Sequence, residues 1–109
     1  MVSSRMVDMS RLKGRRREDQ PLGSLPFEIR RGDFWKEGEN WRLAVPIGVN
    51  EGFAIANLEN HHVVEHDDGM ISVLPGGGGS SNSILVHRTR KDQREEWHGY
   101  VDHGELYSV

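Results

Sequence analysis

A chain of 109 residues, 35% hydrophobic and with a mean hydropathy of −0.67, has material for one small domain with a thin core. It has no cysteine, which excludes disulfides, thiolate zinc sites, iron–sulfur clusters and cysteine nucleophiles. The net charge of −3 conceals an asymmetry: Arg5, Arg11, Lys13, Arg15, Arg16 and Arg17 outnumber Asp8, Glu18 and Asp19 before residue 25, and acidic residues predominate after it.

Residues 1–24 read as a basic N-terminal extension, because periodic apolar signal is sparse and Gly14, Pro21 and Gly23 interrupt any helix over "MVDMSRLK". The body, residues 25–109, begins with a short strand around Phe27–Arg30 and a turn at Arg31-Gly32-Asp33. "WKEGENWRLAVPI" reads as a hairpin turning at Glu37-Gly38-Glu39, after which Trp41, Leu43 and Val45 alternate with Arg42 and Ala44 as in a half-buried strand. Pro46 ends that strand or sets it at an edge. "FAIANL" is short and flanked by glycine and asparagine, hence a strand.

"HHVVEHDDGMISVL" is the strongest hairpin signal, with Asp68-Gly69 at the turn and Val63 and Val64 answering Ile71 and Val73. "PGGGGSSNS" reads as a mobile connector, "ILVHRT" as a strand, and "RKDQREE" as a charged connection with at most one helical turn. In the closing hairpin Asp102-His103-Gly104 forms a three-residue turn, Trp97 and Val101 share one face, and His98 and Tyr100 point to the other. The expected fold is all-β: a small antiparallel meander of six or seven short strands, closed as a barrel or stacked as two layers.

The order "DGMISVLP…NSILV…EWHGYVDHGEL" resembles a family of small phage and prophage proteins, over roughly residues 60–107. The likeness is carried by Ser83-Ile84-Leu85, Trp97-His98-Gly99-Tyr100 and His103-Gly104. Many members of that family carry a cysteine pair in the first half and a further cysteine near the final histidine, in the manner of a zinc site. This chain has no cysteine and inserts "GGGGSSN" before Ser83. The resemblance therefore implies a β-rich fold and a phage or mobile-element setting, with no activity attached.

The histidines are the one repeated candidate for chemistry. His62, His66, His98 and His103 would be the ligands of any metal, with Asp67 or Glu105 in support. His62 and His66, however, lie about 13 Å apart along a strand, too far to share an ion. No metal or other cofactor is expected. The serines of "GSSNSI" sit on a flexible glycine loop, unsuited to holding a nucleophile, and "PGGGGSS" lacks the lysine and following helix of a phosphate loop, so no catalytic residue is expected.

"RLKGRRR" could neutralise phosphates, which makes nucleic-acid binding through residues 5–17 one reading and a grip on an acidic protein groove another. The eight large rings must supply most of the core, with one or two left over for a partner. The expectation is a non-enzymatic module that binds a larger protein or assembly, as a host-system inhibitor or a virion component, through Arg11, Lys13, Arg15, Arg16, Arg17, Trp35 and Tyr100. No apolar run reaches the ~20 residues that span a bilayer and no apolar leader is evident, so no membrane partner and a cytoplasmic location (the host's, for a phage product) are expected, a virion being the other setting.

Overall fold

The computed structural model describes residues 11–18, 29–48, 51–74 and 83–109, with Arg90 described for its backbone alone. These residues form ten strands and no helix. Strands β1 (Arg11–Lys13), β10 (Glu105–Ser108), β9 (Gln93–Asp102) and β8 (Ile84–Arg90) make one four-stranded sheet, here sheet A, in the order β1-β10-β9-β8. Sheet B has the order β2-β3-β4-β5, from Arg15–Arg16, Asp33–Glu37, Asn40–Pro46 and Phe53–Asn57. A two-stranded ribbon, β6 (His62–Glu65) and β7 (Ile71–Leu74), completes the body. All pairings are antiparallel except β2 with β3. The sheets do not close into a barrel, because β8 and β5 remain the ends of their sheets.

The turns follow from residues that tolerate a left-handed backbone. Gly38 (φ 64°) lets the β3–β4 hairpin close in two residues, and His103 and Gly104 (φ 47° and 80°) do the same between β9 and β10. The last turn is thus shorter than the three-residue turn expected from the sequence. Lys91 and Asp92 (φ 52° and 63°) make a turn of the same hand between β8 and β9, so the charged connection is a hairpin and not a helical turn. Two non-glycine residues in the left-handed region are strained. The double replacement Lys91→Asn with Asp92→Gly is expected to raise the unfolding free energy by about 1 kcal/mol, read as a higher denaturant midpoint with unchanged slope.

The larger core lies where the sheets and the ribbon meet: Phe34, Trp41, Leu43, Val45, Ala56, Leu58, Ile71, Val73, Ile84, Trp97, Val101 and Leu106 are buried together. Burying each such large side chain contributes about 1.5–3 kcal/mol. In β9 the alternation is as read from the sequence, with Trp97 and Val101 inward and His98 and Tyr100 outward. Sheet B is covered on its other side too, where Ile29, Trp35 and Ala44 form a second cluster with Phe53 and Ile55. Trp35, expected to be available to a partner, is therefore wholly buried. Ile29 and Arg30 are not in a strand, while Phe27 and Glu28 lie outside the described residues.

Residues 11–13 and 15–16, expected in the disordered or extended basic N-terminal arm, are strands of the body. Gly14 is the corner at which the chain leaves sheet A for sheet B: its N–H donates to the Gly104 carbonyl at 2.7 Å. A Cβ there would stand 2.5 Å from the Gly104 oxygen and 3.0 Å from the Gly32 oxygen, both backbone atoms that cannot swing away. The glycine that interrupts a helix is thus the residue that lets one segment edge two sheets. The rest of the expected extension (residues 1–10 and 19–24) and the glycine connector at 75–82 lie outside the described residues.

Candidate interaction face and histidine cluster

The arginines of the N-terminal segment are held by carboxylates. Asp33, buried in β3, accepts a forked pair of hydrogen bonds from Arg15 (Nε to Oδ1 3.0 Å, Nη2 to Oδ2 2.8 Å), one from Arg17 Nη1 at 3.4 Å and one from the Arg30 amide at 2.9 Å. Arg16 pairs with Glu65, donates to the Gly69 carbonyl at 2.9 Å and lies 5.1 Å from the Trp41 ring centre. Arg11 donates to Glu105 at 2.7 Å and stands 5.1 Å from the centre of the Tyr107 ring. That contact holds the Glu105 carboxyl below its usual range and raises Arg11 above its own, with the Tyr107 hydroxyl adding to both. Lys13 remains exposed at the edge. The described arginines of the basic run thus tie the segment into the fold through carboxylates, with the side chains of Arg11 and Arg15 still half exposed.

The outer face of sheet A has a different character. Cross-strand register sets Arg11, Tyr107 and Tyr100 in one row and His98 beside Leu85 in the next. Tyr100 and Leu85 are 39% and 55% exposed, and the His98 and Tyr100 rings lie 6.5 Å apart. Around this centre stand Lys13, Glu105 and Asp102 at one end and Glu96, His87, Arg94 and Thr89 at the other. An apolar and aromatic centre with a mixed-charge rim is how protein interfaces are organised. Beneath it, Trp97 donates from Nε1 to Ser108 Oγ at 3.0 Å, and a Cβ on Gly99 would overlap the Trp97 ring and the Tyr107 carbonyl oxygen. The Trp-His-Gly-Tyr run thus alternates buried anchor and displayed side chain.

The four histidines considered as metal ligands do not converge. Among the described residues no group of three or more His, Asp or Glu side chains is arranged to hold a metal ion. His62 begins β6 opposite Leu74, and His98 lies on the outer face of sheet A. His66 and His103 do meet: their rings stack with centres 4.2 Å apart and planes 8° from parallel. His103 donates from Nε2 to Asp68 Oδ2 at 2.6 Å, a contact that, with a second bond from the Met70 amide, holds the Asp68 carboxyl below its usual range. His66 Nε2 is 2.7 Å from the Oγ of buried Ser72, which also accepts from the His103 amide at 2.8 Å and lies 3.4 Å from Asp102 Oδ1. The carboxylate here touches the serine and not the far side of the histidine, so the group lacks the relay order of an activated nucleophile.

A separate open groove of about 310 Å³ runs between the β3–β4 turn and the start of β6, lined by Lys36, Trp41, Glu59, His61 and His62 among others. Lys36 Nζ lies 5.7 Å from the Trp41 ring centre there. No helix among the described residues is long and apolar enough to cross a membrane.

The sequence places Tyr100 and His98 on the outward face of β9, as the structure does, but gives no sign of the exposure of Leu85 or of the contacts of Asp33 and Ser72. Leu85 sits in an apolar run, "ILV", whose centre gives no sign of facing outward. Asp33 and Ser72 are single polar residues in short strands, and the partners that tie them to distant segments, Arg15 and His103, are 18 and 31 positions away. No family model, curated protein or solved structure matches the chain.

Proposed function

We infer that the chain is a non-enzymatic interaction module that docks the outer face of sheet A on a larger protein. Its Trp-His-Gly-Tyr and His-Gly hairpin suggests a phage or prophage product, acting in the host cytoplasm as an inhibitor or within a virion as an assembly component. The observation that carries this reading is the Tyr100–Leu85 centre: large apolar groups left exposed beside Tyr107 and His98 on a rigid sheet, within a body that buries most of its other large apolar side chains. Tyrosine on a fixed scaffold is a frequent anchor, since it buries much area at little conformational cost. The even mix of charge around the patch favours a protein surface over a polyanion. A metal-dependent hydrolase, the rival reading, gets no support from histidines that meet only in a pair.

The test is affinity capture from host cells with the full chain and with the double variant Tyr100→Ala/Leu85→Ala. The variant is expected to keep its unfolding midpoint and to weaken binding to the captured partner by about 30-fold or more, the loss of one anchor of about 2 kcal/mol. Equal binding by the two proteins would overturn the assignment of the face, and turnover of a small substrate by the purified chain would overturn the class.

A further inference from the structure

We propose that the stacked pair His66–His103 is a proton-operated latch, which holds the β6–β7 ribbon to the β9–β10 turn and releases it when both imidazoles are charged.

The latch joins two loops. His66 opens the β6–β7 loop, where its N–H donates to the Met70 carbonyl at 2.7 Å, and His103 is the first residue of the β9–β10 turn. Polar contacts across the junction centre on the stack and on Ser72, and one backbone bond crosses it, from the Gly104 N–H to the Ile71 carbonyl at 2.7 Å. Met70 closes the junction against Gly104, where a Cβ would stand 2.7 Å from Sδ.

The surrounding charges decide the direction. Asp68, on the β6–β7 loop, reaches across the junction to His103, so a first proton on the pair is matched by a carboxylate and keeps the two loops together. A second proton must go to His66, whose side-chain hydrogen-bond partner among the described residues is the Ser72 hydroxyl; Asp102 lies 3.4 Å beyond that oxygen. Glu65 is committed to Arg16, whose guanidinium also holds the Gly69 carbonyl of this loop and brings a further positive charge. Asp67 is exposed beside His66, and Glu105, past the turn, is held by Arg11. Two imidazolium rings face to face at 4.2 Å then repel without a carboxylate between them. Opening the junction separates them, so the open form binds the second proton more readily and gains population as pH falls through the histidine range.

The Gly104 amide is the reporter. Its exchange with solvent deuterium, referenced to the intrinsic rate, is expected to lose about tenfold or more of its protection between about pH 7.5 and pH 5, while Val101 and Leu106 in sheet A keep theirs. His103→Asn suits the same left-handed position and leaves a favoured Asn-Gly turn, and His66→Gln keeps a donor for Ser72; each removes one of the two charges. Either variant should hold Gly104 protection constant over that range, to within about twofold. The latch is refuted if wild-type protection at Gly104 does not change with pH, or if either variant still shows the wild-type fall.

Discussion

Alanine at Asp33 is expected to lower the unfolding free energy by about 3 kcal/mol, among the largest effects of any polar substitution in this chain. Its carboxylate is 1% exposed and receives the Arg15 fork, Arg17 and the Arg30 amide. Truncation takes one acceptor from each of these donors, at unequal cost. The Arg15 side chain is half exposed and regains water cheaply, whereas that of Arg17 is only 24% exposed and the Arg30 amide loses its acceptor. The estimate therefore sits at the low end of what breaking a buried pair costs, about 3–5 kcal/mol. Asp33→Asn keeps an acceptor of the same shape and should cost roughly half as much. Chemical denaturation followed by circular dichroism reads both; a loss under about 1 kcal/mol for alanine would mean that the ion pair contributes only what a surface pair does.

Trp97→Ala should cost about 4 kcal/mol, the range for truncating a large buried ring. Trp97 is 5% exposed in the main core, and its ring leaves no space for a Cβ at Gly99, so its removal opens a cavity that the rigid backbone around it cannot fill. Trp97→Phe retains most of the ring and should cost about 1–2 kcal/mol, through lost volume and the lost bond to Ser108. Equal midpoints for the alanine and phenylalanine variants would show that the ring is not the keystone of sheet A.

How far these features could be read in the sequence depends on the range of the forces that make them. The β6–β7 hairpin and the faces of β9 were legible because they rest on neighbours: Val63 opposite Val73, and Trp97, Gly99 and Val101 at period two. The β8–β9 turn was not, since Lys91-Asp92 carries none of the glycine or asparagine that marks a left-handed pair. Trp35 looked available because alternation distinguishes the faces of a strand only when one of them meets water, and sheet B is covered on both. Strands of three and two residues around Gly14 hold no period at all. On the site, Tyr100 was visible in the local pattern, while the His66–His103 stack is a meeting of two turns that no spacing encodes.

The pairing of β1 with β10 bears on how the molecule assembles. Arg11 meets Tyr107, so the ladder at one side of sheet A joins residues from opposite ends of the described chain. Closing a loop of that length costs about 4 kcal/mol of chain entropy before any contact rewards it, which points to slow, late registration of the N-terminal segment during folding. Until Glu105–Ser108 leave the ribosome, β9 has no partner on that side and β1 has nothing to pair with. During that interval the nascent protein presents open strand edges to its neighbours, and crowding between copies would then compete with maturation.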